Sequence, residues 1–259
     1  MQTWTEGKLQ IGIKNRQELA AMREGGKILG IVLYELGKMV APGITTADLD
    51  RKAEQLMKEF GVQASFKGYH GYPATICVSI NEEVVHGIPG PRKIKEGDIV
   101  TIDCGVLHLG FHTDSAITKA AGKTDEKSHL LIATAEKALV KAIETVRPGV
   151  RVGAISGIIQ DTVEKNGFSV IRDLVGHGIG QKLHEDPQIP NFRDKDPGPI
   201  LQPGMTIAIE PIIAMGNYEV KILRDGWTFV TRDGSRSAQV EHTLVVTEKG
   251  AEILTKRPD

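Results

Sequence analysis

Cysteine is scarce in this chain of 259 residues: only Cys77 and Cys104 occur. Two are too few for a disulfide framework, and reduced thiols in a cytosolic protein are the simplest expectation. No stretch approaches the roughly 20 consecutive apolar residues of a membrane span. The opening Met1-Gln2-Thr3-Trp4-Thr5-Glu6-Gly7-Lys8 has no apolar signal core, so a cytoplasmic location is expected. Net charge is also lacking. Lys and Arg number 32 and Asp and Glu 33, leaving −1. No bulk attraction to nucleic acid or to an anionic membrane follows, although a local basic patch is left open.

Several catalytic signatures are absent as well. Gly122-Lys123-Thr124 ends like a phosphate-binding loop, but Ile117 stands where that loop needs glycine. Gly176-His177-Gly178-Ile179-Gly180-Gln181 has Gln181 in place of the last glycine of a dinucleotide fingerprint. His184-Glu185-Asp186-Pro187-Gln188 lacks the second histidine of a zincin helix, and a proline interrupts it. No Gly-x-Ser-x-Gly nucleophile elbow occurs.

What is present is a set of ionisable residues in the wrong places for a plain core. Asp103 sits in Ile99-Val100-Thr101-Ile102-Asp103-Cys104, and Asp114 in Phe111-His112-Thr113-Asp114-Ser115-Ala116-Ile117. Glu210 sits in Ile207-Ala208-Ile209-Glu210-Pro211-Ile212-Ile213, and Glu241 in Ala238-Gln239-Val240-Glu241-His242-Thr243-Leu244. His177 is flanked by glycines. An acid in an apolar strand is costly unless something pairs with it. Four carboxylates and an imidazole gathered together would repel one another, and two divalent metals would resolve that and make the site catalytic. An oxygen-rich set with one imidazole suits Mn, Fe(II) or Co, with catalytic zinc also open.

Asp103 and Asp114 flank Gly105-Val106-Leu107-His108-Leu109-Gly110, which reads as a hairpin. A turn centred near His108-Leu109 would set the two acids directly opposite, about 4.5–5.5 Å apart at Cβ. Such a pair suits metals roughly 3.5–4 Å apart. Among the other histidines, His86 and His184 could hydrogen-bond a substrate amide or a developing oxyanion, or be structural. His70, His112 and His242 are open between support and surface roles.

The chain also repeats itself. Asn15 with Glu18 reads as a capping box opening a helix with an apolar stripe of Leu19, Met22, Leu33 and Leu36, which stops near Pro42-Gly43. Thr45 with Asp48 opens a second, with Leu49, Ala53, Leu56 and Phe60 inside and Gly61 at its end. The second half predicts a helix from about Asp125 to Val146, stopping at Pro148-Gly149, then another ending at Gly167. Pro42 and Pro148, Gly43 and Gly149, and Gly61 and Gly167 are each 106 apart. Gly97 through Asp103 aligns with Gly204 through Glu210 at an offset of 107. Asp114 and Glu241 would be the next pair, the 20 surplus residues forming a loop around Asn217 to Ser235 that carries Trp227. Each half reads helix, helix, strands, which predicts an α+β fold with helices outside a curved antiparallel sheet and a pocket between the halves.

This ordered set of Asp103, Asp114, His177, Glu210 and Glu241 resembles the type I methionine aminopeptidases, from about Asn15 to Leu254. The stretches Gly68-Tyr69-His70-Gly71-Tyr72-Pro73, Ser79-Ile80-Asn81-Glu82, Val85-His86-Gly87-Ile88-Pro89, Asp225-Gly226-Trp227 and Glu241-His242-Thr243 carry the resemblance further. It implies the pita-bread (creatinase/aminopeptidase) fold, with pseudo-twofold-related halves at about 15–124 and 125–254 in a single catalytic domain spanning 1–259. It implies a metal-dependent hydrolase, a methionyl aminopeptidase that removes the initiator methionine from nascent chains when the second residue is small.

By the same resemblance, Asp114, His177, Glu210 and Glu241 would hold one divalent ion, and Asp103, Asp114 and Glu241 the other, of Co, Mn, Fe(II) or Zn. A bridging water or hydroxide would attack the methionyl carbonyl, Glu210 shuttling the proton. His184 would contact the scissile amide and the developing oxyanion, and His86 would help orient it. The substrate's amine would lie near Asp103. The methionine pocket would comprise Phe66, Tyr69, Tyr72, Cys77, Leu183, His86 and Trp227, with Phe66 and Leu183 departing from some relatives, which carry Cys and Phe there. Asn81 and Ser237 resemble a monovalent-cation site built from backbone carbonyls. Partners would be N-terminal Met peptides of nascent chains, with ribosome association left open. Neither membrane nor sequence-specific nucleic acid is expected, and a monomer is. Only about 15 residues precede the first helix, and Glu210 and Glu241 are 31 apart, so neither the N-terminal zinc-finger extension nor the long insertion of type II enzymes is expected. The alternatives are a prolidase or aminopeptidase P, which typically carry a large extra N-terminal domain, and a non-catalytic binding protein, which would have lost metal ligands.

Overall fold

Both capping boxes form as the sequence predicts. Asn15 accepts hydrogen bonds from the Gln17 and Glu18 amides while Glu18 reaches back to the Asn15 N–H, opening helix α1, Arg16–Met39. Thr45 and Asp48 do the same for α2, Thr46–Glu59. In the second half Asp125 caps α3, Glu126–Thr145, and α4 spans Val152–Glu164. Residues 2–6 and 9–258 are described by this computed structural model.

Each helix pair packs on the strands of its own half. Leu29, Leu33 and Leu36 of α1 and Leu49, Ala53 and Leu56 of α2 form one core with Ile76, Val78, Ile102 and Val106. Leu131, Ala135 and Leu139 of α3 and Ile155 and Ile159 of α4 form another with Ile207, Ile209, Leu244 and Val246. Phe60 does not join the inner face of α2 as expected. It caps the helix and is 40% exposed, while Met57 is buried in its stead.

The repeat is visible in backbone conformation. Gly43 and Gly149 have φ of 95° and 85°, Gly61 and Gly167 68° and 77°, and Gly97 and Gly204 84° and 88°. These left-handed positions favour glycine, so each matched pair marks the same turn made twice.

The first-half sheet places Ile99–His108 between Cys77–Ile80 and Phe111–Ala120. The second-half sheet runs Glu185–Ile189, Gly176–Gly178, Thr206–Ile209, His242–Val246, Ala251–Ile253. The halves are joined along Phe111–Ala120. The Asp114 amide donates to Thr243 Oγ1 at 2.8 Å and Thr243 Oγ1 donates to the Asp114 carbonyl at 2.7 Å. Ser115 Oγ donates to the Glu241 carbonyl and the Glu241 amide to the Ala116 carbonyl.

The structure also departs from expectation in the strands. The surplus segment is not a loop: Val220–Ile222 and Phe229–Thr231 form a hairpin whose second strand pairs with Glu83–Val85 of the first half. The hairpin between the aspartates turns at Leu109-Gly110, both with positive φ, not at His108-Leu109. Asp103 therefore faces Ala116 and Asp114 faces Gly105, leaving the two acids diagonal on one face instead of directly opposed. The segment before α1, given no element from sequence, contains an antiparallel hairpin of Gln2–Glu6 and Leu9–Ile13.

Candidate active site

The pleat explains how five distant side chains meet. His177 pairs with Ala208 across the ladder, so its ring shares a face with Glu210, two residues on. Ile209 pairs with His242, and Glu210 and Glu241 are the next residues outward from that pair. The seam to Phe111–Ala120 then brings Asp114, and with it Asp103, to the same place. Potential ligand atoms of Asp114, His177 and Glu241 lie within 4.8 Å of one another. Glu210 Oε1 is 3.9 Å from His177 Nε2. Asp103 joins through Gln239, whose amide nitrogen is 3.4 Å from Asp103 Oδ2 and 3.2 Å from Glu210 Oε2.

The electrostatics are those of an acid cluster without counter-charge. Burial pushes Asp103 up to about 7. Burial, then the charges of Asp103 and Glu210, raises Asp114. Burial and Asp103 raise Glu210, and burial with Asp114, Glu210 and Asp103 raises Glu241. Asp103 Oδ1 and Glu241 Oε1 are buried with no hydrogen-bond partner among the described residues. Burial holds His177 down at about 3, so its ring is neutral. Its Nδ1 lies 2.9 Å from the Gly178 carbonyl. A carbonyl only accepts, so Nδ1 carries the proton and Nε2 presents a lone pair beside the carboxylates. Hard oxygen donors, orphaned carboxylate oxygens and a neutral imidazole oriented by a carbonyl fit divalent cations.

Above this cluster lies a cavity of about 170 Å³. All eight residues expected to meet the substrate line it: Phe66, Tyr69, Tyr72, Cys77, His86, Leu183, His184 and Trp227. Tyr72 and Trp227 pack edge to face at 5.1 Å. The Tyr72 hydroxyl is held by the Ile76 and Gly87 carbonyls at 3.1 and 3.0 Å. Both cysteines are buried and free. The Tyr69 hydroxyl lies 2.7 Å from His184 Nδ1, and the His177 and His184 rings meet edge to face at 4.4 Å. His86 takes a left-handed φ of 58°, unusual for a side-chain-bearing residue, and burial lowers it to about 4. A Cβ on the following Gly87 would collide with the Val78 carbonyl, so the chain must be bare there.

The remaining candidates fall outside the cavity lining. His112 pairs with Ser65 Oγ at 2.9 Å and His242 with Thr255 Oγ1 at 2.8 Å, while His70 is exposed beside Tyr69. Asn81 and Ser237 are adjacent: the Ser237 amide donates to the Asn81 carbonyl at 2.8 Å. Val85, Leu174, Val175, Ile212 and Gln239 line the cavity without having been singled out from sequence. Gln239 was the informative omission. It lies two residues before Glu241 in a strand, the spacing that shares a face.

The metallopeptidase family M24 model matches residues 20–248. A methionine aminopeptidase of Clostridium perfringens is 51% identical over 243 residues, 94% of this chain and 98% of that protein. The crystal structure of a methionine aminopeptidase from Thermotoga maritima superimposes with a TM-score of 0.94 at 48% identity, covering 95% of this chain and all of that one. The prolidase of Pyrococcus horikoshii gives a TM-score of 0.77 at 22% identity over 95% of this chain but 64% of its own, a likeness of fold alone.

Proposed function

The chain belongs to metallopeptidase family M24, and we propose that it removes N-terminal methionine from nascent chains whose second residue is small, in the cytoplasm and as a monomeric catalytic domain. The observation that carries this is one of position. Four buried ligand-type side chains and the partly buried Glu210 converge at the base of a cavity whose upper walls are aromatic and apolar. A methionine side chain is apolar and flexible, and such walls suit it.

Asp114, His177, Glu210 and Glu241 would hold one divalent ion and Asp103, Asp114 and Glu241 a second, drawn from Co, Mn, Fe(II) or Zn. Bound there, the ions supply Lewis-acid polarisation and a lowered water pKa. The chain supplies the rest. Glu210, raised by its surroundings, can hold a proton and return it to the departing amine. Neutral His184 donates from Nε2 to the carbonyl oxygen as it gains charge. His86, on its fixed left-handed backbone, orients the scissile amide. Gln239 holds Asp103 and Glu210 apart at a set spacing. Asn81 and Ser237 would offer backbone carbonyl lone pairs to a monovalent cation.

Hydrolysis of Met-Ala-Ser against Ala-Pro peptides by metal-loaded protein tests the reading. Release of methionine alone supports it. Cleavage of the proline peptide would favour a prolidase, and cleavage of neither a binding role.

A further inference from the structure

Beyond His184 the catalytic cavity continues into a larger groove of about 650 Å³, and Val175, His177 and His184 line both. One wall is the N-terminal hairpin. Pleating sends Ile11 into the second-half core with Leu9 and Ile13 packed against it. Gln10 and Gly12 alternate with them and face the groove, together with Thr3, which pairs with Gly12. The other wall carries Gln181 and the edge strand Glu185–Ile189, which contributes Gln188.

The lining has a specific chemistry. Gln10, Gln181 and Gln188 are exposed amides, each able to donate and to accept. None makes a side-chain hydrogen bond to another described residue. A polypeptide main chain offers one donor and one acceptor at nearly every residue, whatever its sequence. Lys182 and Asp186 add opposite charges and the carboxylate of Glu185 is paired with Lys14, so neither sign of side chain is favoured.

We propose that this groove binds the main chain of the substrate downstream of the scissile bond, from its third residue onward, without reading its side chains. The proposal rests on the aminopeptidase reading of the neighbouring cavity. With the methionine side chain in the aromatic pocket, the leaving segment passes His184 and runs along the groove lined by the hairpin and the edge strand. An extended chain advances about 3.3 Å per residue, so the five-residue edge strand flanks roughly 16 Å of substrate. An enzyme that must accept every small-second-residue chain gains affinity this way without losing breadth.

The test is a length series on metal-loaded protein, from Met-Ala-Ser to a peptide of about seven residues with the same start. In the wild type kcat/KM should rise with length by about tenfold, equivalent to roughly 1.4 kcal/mol, and then level off. In Gln10→Trp and Gln188→Trp, which fill the groove from opposite walls, the ratio of long to short substrate should fall towards one. A flat wild-type series would overturn the proposal. So would an unchanged ratio in both variants when circular dichroism shows them folded. Absence of cleavage of every Met peptide by the wild type would instead remove the aminopeptidase reading, and the groove's role with it.

Discussion

The Tyr69 hydroxyl lies 2.7 Å from Nδ1 of His184. Burial holds Tyr69 protonated and lowers His184, so a phenol meets a neutral imidazole. A neutral imidazole has one N–H. With the phenol donating to Nδ1, that N–H is on Nε2, free for a substrate oxygen. Tyr69→Phe should therefore lower kcat on Met-Ala-Ser by about tenfold, the worth of one net hydrogen bond at roughly 1–1.5 kcal/mol, with KM nearly unchanged. A kcat equal to wild type would separate Tyr69 from the chemistry.

Glu241 is 2% exposed, and burial with three neighbouring acids raises it. The neutral isostere relieves that repulsion but weakens a ligand. Glu241→Gln should lose nearly all turnover. In EDTA it should nonetheless melt higher than wild type, by about 2–4 °C per kcal/mol recovered. Adding Mn should raise the wild-type midpoint more than the variant's, since saturation at about 100 times Kd contributes roughly 2.7 kcal/mol. Calorimetry with and without metal reads both effects, and a lower metal-free midpoint for the variant would contradict them.

His86 titrates near 6.5 in an unfolded chain and at about 4 in the fold. The folded form resists protonation, so the stability tied to His86 is present above pH 6.5 and is lost as pH falls towards 4. The slope from this one group reaches about 1.4 kcal/mol per pH unit. His86→Asn tolerates the left-handed backbone and cannot titrate. Its stability should fall less steeply than wild type between pH 6.5 and 4 in urea titrations, while activity drops. Parallel slopes would show that His86 is not the coupled proton.

Lys14 and Glu185 form an ion pair at 2.6 Å with side chains 1% and 10% exposed. Lys14→Met leaves the partly buried Glu185 without its counter-charge, held only by the Lys182 amide, which should cost up to about 3 kcal/mol. Lys14→Met with Glu185→Gln should recover most of that. Because Glu185 follows His184, the single variant should also lower kcat more than its effect on KM. Denaturant midpoints and kinetics on the two variants decide the matter.

Local chemistry was the part most legible in sequence. Asn15 with Glu18 and Thr45 with Asp48 announce their helices within four residues. Acids inside apolar strands announce themselves by cost. The turn at Leu109-Gly110 was misplaced by one residue because leucine gives no hint of positive φ. The resulting shift moves each partner by two positions, and a period of two keeps the same face. Asp103 and Asp114 thus stayed neighbours despite the wrong register. Lys14 and the pairing of Phe229 with Val85 were not legible, because each acts through a contact over 100 residues distant and a lone lysine or valine carries no signal of its partner; Gln239 carried only its two-residue spacing from Glu241.

The seam between the halves has a temporal consequence. Asp114 meets Thr243 across 129 positions, and neither half holds all five residues of the acid-and-imidazole cluster. Either half could order its own helices and strands early, yet the cluster closes only after they dock. Metal uptake during refolding therefore clocks the docking step and not the folding of either half. On the proposed ligand set, a chain still on the ribosome should show no aminopeptidase activity until residues beyond Thr243 have emerged, which activity of stalled chains of increasing length would read.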